Sequence, residues 1–526
     1  MAEHQVATLK DLVQGSMQTV QVGDQEVLLV RHAEGVSALH SKCTHYGAPL
    51  IDGVLNGHRI MCPWHHACFD ARTGRHLEAP GCDALQSYPV SLRDGKVFVE
   101  LPSGKSSGQV PNPMARPATE YHEDAPIVVV GGGPAGQHAV EGLRQGGYTG
   151  PIALVSAETH LPYDRTQVSK GYLSGQRPEE KMPLRNRAFY KDLGVDLRLG
   201  RRLTKIDAKA HELRFDDDTT LAYSKLCLAT GSKVRRLSVP GANLAAVYTM
   251  RNKEDAEAIR KAAGKGKRAV VIGASFIGME AADALRSMGC HTTVVAPDEL
   301  PFGKLFGQRV GTAIRDWHEE KGIRFKLGEQ VQSISGVRKA TGVVLESGEE
   351  LRAHFVVVGI GVEPALDFEH PFRREEDGGL RTDNQLHVGK DVWAVGDIAS
   401  APYAPGRRRA RIEHWRVAEQ HGTVAGNAMA GSDRHLLSVP YFWTSQAGNN
   451  LRYAGHHERA DNIVFDGNPG EGPFLAFYIE GSRVAAVLGY KRDRDVAAIH
   501  ELMWLGKMPK AGKLNLDSDW PALLLH

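Results

Sequence analysis

Two short loops, each with one cysteine and one histidine, constrain the fold of this chain more than any other sequence feature. One residue separates Cys43 from His45, and sixteen residues later Cys62 and His65 follow with two residues between them. Two thiolates and two neutral imidazoles can hold a two-iron, two-sulfur cluster, with the cysteines on one iron and the histidines on the other. Imidazole ligands leave such a cluster less negative than four thiolates would, so it accepts an electron more readily. The pattern therefore predicts an electron-carrying centre.

A structural zinc ion held by the same four residues is the alternative, but zinc sites usually pair ligands of one kind about two to four residues apart. The flanking sequences CTHYGAPLIDG and CPWHHACFDARTG place Gly and Pro where tight turns would present the ligands. Over both loops the chain resembles the Rieske ferredoxin family. The resemblance implies an all-β Rieske [2Fe-2S] domain over residues 1–102, with metal ligands Cys43, His45, Cys62 and His65.

His66 departs from the Rieske pattern, because the family usually has glycine at this position. Two interpretations are open. His66 is either a solvated loop residue or a group that exchanges a proton beside the cluster, since histidine is the side chain that titrates near neutral pH. Burial distinguishes the two, because a solvated side chain lies at the surface.

Length and charge restrict the class of protein. At 526 residues the chain is long enough for about three or four domains. Its 64 Lys and Arg nearly balance its 62 Asp and Glu, so the overall charge does not predict binding to nucleic acid or to an anionic membrane. The first residues, MAEHQVATLK, match neither a signal nor a transit peptide, and no apolar run of about 18 residues occurs. We therefore expect a soluble, cytoplasmic protein without a membrane partner.

A linker rich in Ser, Gly and Pro covers residues 103–123, and a new domain begins after it. The apolar run IVVV predicts a strand, and Gly131, Gly133 and Gly136 follow it as a G-x-G-x-x-G turn before a helical stretch. Such a turn lets a pyrophosphate approach the backbone at a helix N-terminus. The next predicted strand, PIALVS, leads to Glu158, which is placed to bind a ribose hydroxyl, although a solvated loop residue is the alternative.

The same design recurs in RAVVIGASFIG, where Gly273 and Gly278 are retained and Ser275 replaces the middle glycine. A predicted strand precedes this turn and a helix follows it. Two dinucleotide folds in one chain predict FAD in the outer fold and a pyridine nucleotide in the inserted one. Asp397, in the sequence AVGDIAS, is expected to bind the ribityl or pyrophosphate end of FAD.

From about residue 124 onward, the motifs VVVGIGVEP, RIEHWRVAEQHG and VPYFWTSQAG resemble the two-dinucleotide flavoprotein reductases. The likeness is greatest to oxygenase-coupled ferredoxin reductases and to the apoptosis-inducing-factor family, which includes a Rieske-bearing branch. It implies an α/β reductase with two dinucleotide-binding folds and a C-terminal α+β domain. The implied divisions are FAD-binding parts over 124–246 and 371–438, an NAD(P)H-binding domain over 247–370, and a C-terminal reductase and dimerisation domain over 439–526.

The resemblance also assigns roles to five side chains around the flavin. The segment LPYDRTQVSKGYLSG is similar to the family's flavin-contacting segment, which implies that Arg165 and Lys170 lie near the isoalloxazine ring. In the family this lysine pairs with the glutamate after the nucleotide glycines, here Glu280, and a cation near the flavin favours the anionic reduced ring. Lys170 and Glu280 are therefore the implied catalytic pair, with an ordinary surface charge as the alternative for each residue alone. Trp415 and Trp443 lie in motifs that line the flavin in relatives.

The coenzyme follows from the end of the second strand of the inserted fold. Ala296 stands there, where NADH-using relatives tend to have an acidic residue for the adenosine ribose. Asp298 or Glu299 could substitute, and no Arg or Lys occupies the immediate strand end to receive a ribose phosphate. The sequence therefore favours NADH over NADPH.

Together these features predict that NADH gives a hydride to FAD, and that electrons then pass singly to the Rieske cluster and to an external electron-acceptor protein or oxygenase. A coil linker of about twenty residues has a root-mean-square reach of roughly 25 Å, enough for the Rieske domain to dock near the flavin or swing away. The alternative is a redox-responsive signalling protein like apoptosis-inducing factors. The family's C-terminal domain also implies a homodimer.

Overall fold

Antiparallel β-strands build the N-terminal domain. The computed structural model describes residues 2–102, 107–118, 125–403 and 408–525, and only the backbone of Ala2. The strands of this domain are β1 (Ala2–Thr8), β2 (Ser16–Val22), β3 (Gln25–His32), β4 (Gly35–His40), β5 (Val54–Asn56), β6 (Arg59–Met61), β7 (Cys68–Asp70), β8 (His76–Glu78), β9 (Asp83–Leu85), β10 (Ser87–Tyr88), β11 (Val90–Arg93), β12 (Lys96–Leu101) and β13 (Gln109–Pro111). One sheet joins β2, β3, β4 and β10, a second joins β1, β11 and β12, and a third joins β5 to β8.

Strand β3 is buried on both faces, which fits the alternation of side chains along a strand. Leu28 and Val30 pack into the apolar cluster that surrounds the two ligand cysteines, whereas Val27 and Leu29 pack into a second cluster with β12. The two cysteine–histidine loops follow β4 and β6, so they extend from the same packed core. This core gives the ligand loops a fixed base.

The described part of the linker does not behave as a free coil. Its strand β13 pairs antiparallel with β9, and farther along the backbone N–H of Ala115 donates to Arg144 and that of Ala118 to Thr149. Residues 103–106 and 119–123 of the predicted linker lie outside the described residues. The expectation of an unrestrained linker is therefore wrong for residues 107–118, because composition does not reveal that this segment finds a strand partner.

A parallel sheet with a helix after its first strand forms the first part of the second domain. Its elements are β14 (Ile127–Val130), α1 (Pro134–Gln145), β15 (Ile152–Ser156), α2 (Arg187–Asp192), β16 (Val195–Leu199), β17 (Leu203–Asp207), β18 (Glu212–Phe215), β19 (Thr220–Ala222), β20 (Lys225–Leu228) and β21 (Ser232–Val234). The strands β16, β15, β14 and β20 lie side by side in that order and run parallel. The near-continuous apolar sequences of β14, β15 and β20 match strands that are covered on both faces, whereas β16, at the edge of the sheet, carries Asp196 and Arg198.

The inserted domain repeats this layout. Its elements are β22 (Val247–Thr249), α3 (Lys253–Ala262), β23 (Arg268–Ile272), α4 (Phe276–Ser287), β24 (His291–Ala296), α5 (Gly303–Phe306), α6 (Gln308–Glu320), β25 (Arg324–Leu327), β26 (Val331–Gly336), β27 (Ala340–Leu345), β28 (Glu350–Arg352), β29 (Phe355–Val358) and β30 (Val362–Pro364). The five-stranded parallel sheet has the order β22, β29, β23, β24 and β25.

The last glycine of each glycine-rich turn brings its helix close to its strand. A Cβ atom at Gly136 would lie 1.9 Å from the carbonyl oxygen of Gly131, and one at Gly278 would lie 2.2 Å from that of Gly273. Real Cβ atoms do not approach an oxygen so closely, so only glycine fits either position. The two predicted dinucleotide turns therefore have the same backbone construction.

The chain then returns to the outer sheet and finishes in an α+β domain. The returning elements are β31 (Leu380–Arg381), β32 (His387–Gly389), β33 (Val392–Ala394), β34 (Ala399–Tyr403), β35 (Arg408–Arg411) and α7 (Trp415–Met429). The final domain contains β36 (Tyr441–Gln446), β37 (Asn449–Gly455), β38 (Asn462–Gly467), β39 (Phe474–Glu480), β40 (Arg483–Tyr490) and α8 (Asp493–Trp504). Strand β33 joins β20, and β36 to β40 form an antiparallel sheet. Within the described ranges, no helix is both long and apolar enough to cross a membrane.

The N-terminal domain packs against the rest of the chain through apolar and charged contacts. Val54, Met61 and Cys68 of the N-terminal domain share one apolar cluster with residues of β36 and α8. Arg185, from the segment before α2, donates to Glu141 on α1 at 2.9 Å and pairs with Asp83 of β9 at 2.9 Å. An apolar core that crosses the boundary, with paired charges beside it, describes a docked domain.

Replacing Arg185 with leucine is expected to destabilise the protein. Glu141 is 2 % exposed, and Arg185→Leu leaves its buried carboxylate without the neighbouring cation. Removing one partner of a buried ion pair costs about 3–5 kcal/mol. Arg187 lies two residues away and is exposed, so Arg187→Leu is the matched control, with an expected change below about 0.5 kcal/mol. Urea unfolding followed by circular dichroism checks this prediction, and equal midpoints for both variants would contradict it.

Candidate functional site

The four predicted metal ligands meet between the two loops of the N-terminal domain. Nδ1 of His45 lies 3.2 Å from Nδ1 of His65, and the thiol of Cys43 contacts that of Cys62. Two nitrogens at this separation can bind one iron, and two adjacent sulfurs can bind the next. The residues present therefore suit a cluster with two imidazole and two thiolate ligands.

Burial sets the protonation of both imidazoles. It lowers the pKa of His45 to about 4, although the carboxylate of Asp164 partly opposes this shift. Burial lowers the pKa of His65 well below its usual value, and His45 adds to the effect. Both rings are therefore neutral at physiological pH, which leaves nitrogen lone pairs available to a metal.

A cavity of about 550 Å³ lies where the two dinucleotide folds meet the C-terminal domain. It is lined by the turn after β14, by the segment around Lys170, by the start of α4 and by β36. Ten of the residues predicted to bind cofactors or act in catalysis contribute to this lining, namely Gly131, Gly133, Glu158, Arg165, Lys170, Ser275, Glu280, Asp397, Trp415 and Trp443. Gly136, Gly273 and Gly278 do not line it and instead allow the close helix–strand approaches described above. The cavity is of the size that holds a cofactor.

Lys170 and Glu280 form an ion pair at the edge of this cavity. Nζ of Lys170 lies 3.0 Å from Oε1 of Glu280, and the hydroxyl of Ser169 donates to Oε2 of the same carboxylate at 2.6 Å. Glu280 is buried whereas Lys170 is partly exposed toward the cavity. The carboxylate is therefore held in place from two sides, and it holds the ammonium at the cavity wall.

The two carboxylates predicted to bind ribose or ribityl groups already have protein partners. Glu158 accepts from Nη2 of Arg165 at 2.6 Å and from the hydroxyl of Tyr163 at 2.7 Å. Asp397 accepts from the hydroxyl of Ser232 at 2.7 Å. Arg165 is thus held by Glu158, a pairing that the resemblance did not specify.

The histidine side of the metal centre faces the cavity across one tryptophan. The ring centroid of His65 lies 4.3 Å from that of Trp443, and Trp443 itself lines the cavity. His414, at the start of α7, packs edge-to-face on the same indole at 4.9 Å. Burial lowers the pKa of His414 to about 3, so this ring is also neutral. The indole of Trp443 therefore lies between the predicted ligand His65 and the interior of the cavity.

A second contact fixes the orientation of the first ligand loop. The ring of Tyr46 lies 4.1 Å from that of His45, and its hydroxyl donates to Asp164 at 2.5 Å. Asp164 also accepts from the backbone N–H of Thr166, and it thereby caps the short 3-10 helix Arg165–Gln167 that precedes Lys170. The first ligand loop and the flavin-side segment are thus joined through one carboxylate.

Sequence analysis missed Tyr46, Asp164 and His414. Tyr46 follows a ligand histidine directly, and His414 precedes a tryptophan expected to line the flavin, so neighbourhood in sequence was the available signal. Only the fold shows that Tyr46 contacts Asp164 and that His414 packs on Trp443. His66 also differs from one expectation, because its side chain is fully buried and the solvated interpretation is wrong.

A partly buried charge network lies behind the predicted metal site. Glu78 of β8 lies 2.7 Å from Nη2 of Arg59 and 3.2 Å from Nη2 of Arg416 on α7. Burial alone would raise the pKa of Glu78, but the two guanidinium groups outweigh it and hold this pKa at about 2. Glu78 is therefore ionised and paired across the domain boundary.

The stability that Glu78 contributes depends on pH. Because its pKa is lower in the folded protein than the usual value of 4.5, the contribution is complete above about pH 4.5 and is lost as the pH falls toward 2. Glu78→Gln removes the charge at every pH, so its deficit relative to the natural protein should reach about 3 kcal/mol near pH 6 and shrink in acid. Urea midpoints measured from pH 6 to pH 3 check this; a deficit that stays constant over this range would contradict it.

Three family models match successive parts of the chain. A Rieske [2Fe-2S] domain matches residues 2–89, pyridine nucleotide-disulphide oxidoreductase matches residues 125–422, and a reductase C-terminal domain matches residues 441–519. These matches coincide with the β domain, the paired dinucleotide folds and the final α+β domain. The fold class predicted from the sequence is confirmed.

Individual proteins show the same similarity. Apoptosis-inducing factor 3 of Homo sapiens is 35% identical over 529 residues, which cover 98% of this chain and 86% of that protein. The anthranilate 1,2-dioxygenase system ferredoxin–NAD(+) reductase component of Burkholderia cepacia is 34% identical over 392 residues, covering 74% of this chain and 96% of that protein. The crystal structure of a ferredoxin reductase for the CYP199A2 system from Rhodopseudomonas palustris superimposes with a TM-score of 0.71 at 28% identity, over 76% of this chain and 100% of that one.

Proposed function

We propose that this chain, which belongs to the pyridine nucleotide-disulphide oxidoreductase family, is an NADH-dependent reductase that carries its own first electron acceptor in the N-terminal Rieske domain. The oxidoreductase class and the cofactors FAD, NADH and [2Fe-2S] that the sequence predicted are confirmed. Bound FAD can take a hydride from NADH and release electrons singly, and a Rieske cluster accepts them one at a time. The observation that carries the proposal is Trp443, which contacts the ligand His65 and also lines the flavin cavity.

Lys170 and Glu280 are proposed to act where the nicotinamide and the flavin meet. The pair lies between the outer fold and the start of the inserted fold, on the wall of the cavity where FAD and NADH would meet. An ammonium group held there stabilises negative charge that builds up as the hydride arrives. Glu280 positions this ammonium, and Ser169 in turn positions Glu280.

Trp443 and Tyr46 are proposed to keep the metal centre close to the flavin. Trp443 fills the space between His65 and the cavity with an aromatic ring, and no side chain needs to move before an electron passes. The hydrogen bond from Tyr46 to Asp164 holds the loop of His45 against the reductase, and so fixes the distance between this loop and the segment that contains Asp164. The cluster then receives electrons inside one molecule, which removes the diffusion step that a separate ferredoxin requires.

The electrons are proposed to leave for an external acceptor protein. Relatives of this chain are named as reductase components of dioxygenase systems, which supports an oxygenase or its ferredoxin as the acceptor. Because the Rieske cluster belongs to this same chain, the external protein would receive its electrons from the cluster and not directly from the flavin.

Anaerobic mixing with NADH tests the proposed function. Flavin absorbance and the Rieske electron paramagnetic resonance signal are followed in the same samples, with NADPH in a parallel series. We expect the flavin to bleach first and the Rieske signal to grow next. Reduction of the flavin without a Rieske signal would contradict the proposal. Slow reduction with an NADH-dependent change in molecular size would instead favour the redox-responsive alternative.

Lys170→Ala is expected to slow flavin reduction by NADH at least about tenfold, because the transition state loses a positioned cation. The oxidised flavin should still bind, since the glycine turns are unchanged. Stopped-flow absorbance measures the rate, and Lys191→Ala, an exposed lysine on α2, serves as the matched control. A rate equal to that of the control would remove Lys170 from the mechanism.

Trp443→Leu is expected to slow electron transfer from flavin to cluster at least about tenfold, because the space between His65 and the cavity is no longer filled by a ring. Reduction of the flavin by NADH should change little. Rapid-freeze electron paramagnetic resonance separates the two steps. Trp317→Leu is the control, because Trp317 packs on Tyr490 in the C-terminal domain and does not line the cavity. Equal slowing in both variants would contradict the route through Trp443.

A further inference from the structure

Three buried side chains meet where the N-terminal domain packs on α8. His66 belongs to the second ligand loop, and His500 and Glu501 are neighbours on α8. Oε1 of Glu501 lies 3.6 Å from Nε2 of His66 and 3.3 Å from Nδ1 of His500, and the two imidazole centroids are 3.8 Å apart. One ligand atom from each residue lies within 4.8 Å of the others. None of the three has a part in the electron-transfer route proposed above.

The hydrogen bonds of His500 leave a lone pair facing a carboxylate. Nε2 of His500 lies 3.0 Å from the carbonyl oxygen of Val439, which can only accept, so Nε2 carries a proton. In the neutral ring Nδ1 is then an acceptor, and it faces Oε1 of Glu501, which is an acceptor too. Two acceptors this close need a proton or a metal ion between them, because the nearby Arg59 pairs with the other oxygen of Glu501, Oε2, at 3.3 Å. The candidates are a proton, carried by His500 or by Glu501, and a metal ion.

His66 distinguishes these candidates. Its ring is fully buried, and neither ring nitrogen has a hydrogen-bond partner among the described residues. A proton shared by His500 and Glu501 leaves His66 unsatisfied, whereas a metal ion satisfies all three side chains. The backbone of His66 has φ of +64°, a left-handed conformation that suits the glycine usual in Rieske relatives. A histidine retained in this conformation, without a hydrogen bond, indicates a role for its free nitrogen.

We propose that His66, His500 and Glu501 bind a divalent transition-metal ion, Zn²⁺ by preference, that fastens the Rieske domain to α8. Imidazole nitrogens and a carboxylate oxygen are common zinc ligands, and the measured separations suit bonds of about 2.0–2.2 Å. The outer contacts also have the arrangement of a metal site. Val439 accepts from the far nitrogen of His500, and Nδ2 of Asn56 donates to the second oxygen of Glu501 at 2.7 Å.

The proposed site is structural and separate from the Rieske irons. All three side chains are buried, and neither the flavin cavity nor the smaller cavity near His138 is lined by any of them. A metal ion at this point would hold ligands from both ends of the chain and keep the Rieske domain docked.

The metal content of the full-length holoprotein tests the site. We expect mass spectrometry of the purified protein to find about one zinc per chain in addition to the cluster iron. His66→Gly restores the usual Rieske residue and suits the left-handed backbone, so it should fold. It should lose zinc affinity by more than the roughly 10–100-fold that loss of an outer contact causes. The flavin absorbance and the Rieske electron paramagnetic resonance signal should remain and report intact folding.

Two further variants complete the test. Glu501→Gln keeps the side-chain shape and should also lose zinc. His58→Ala is the matched control, because His58 lies in the Rieske domain but contacts Glu34 and His32 instead, so zinc should be retained. The proposal is overturned if the natural protein binds no zinc, cobalt or extra iron after incubation with each ion. It is also overturned if His66→Gly binds as much metal as the natural protein.

Discussion

A buried guanidinium at the start of α7 determines how the domains are arranged. Arg416 is fully buried, and a cation removed from water is tolerated only where acceptors surround it. Its hydrogen-bond partners within the described ranges belong to the Rieske domain: Nε donates to the carbonyl of Ala79 at 2.8 Å, and Nη2 donates to Glu78 at 3.2 Å. Trp415, the first residue of the same helix, lines the flavin cavity. The contacts that neutralise Arg416 therefore also hold the Rieske domain beside this cavity.

Docking in this position determines which side of the predicted metal centre faces the reductase. The histidine ligands face the reductase, and the cysteine ligands lie inside the apolar cluster of the Rieske domain. In a Rieske cluster both imidazoles hold the same iron, so this orientation would place that iron on the side nearest to Trp443. Tyr46 and Asp164 prevent the loop of His45 from turning away. Position and orientation therefore come from the same set of interdomain contacts.

The parts of the site that could be predicted from the sequence consist of residues close together in the chain. The cysteine–histidine loops and the glycine turns are local, so their spacing carries the chemistry. The contact of Tyr46 with Asp164 and the pairing of Arg416 with Glu78 join residues that are 118 and 338 positions apart. No periodicity or motif signals such pairs. The linker shows the same limit, because its composition indicates coil while β13 finds a partner in β9.

The free energy needed to separate the Rieske domain from the reductase bears on how electrons leave the molecule. Swinging the Rieske domain toward an acceptor would separate Arg416 from Glu78 and Arg185 from Asp83, and it would also carry the cost of exposing to water the apolar cluster that the two parts share. Exit from the docked domain avoids this cost if part of the ligand loop reaches the surface. Trp64 meets that condition, since it is 37 % exposed and its ring lies 6.4 Å from that of His65. The contacts that undocking would break and the exposure of Trp64 together favour a Rieske domain that stays docked and passes electrons outward past Trp64.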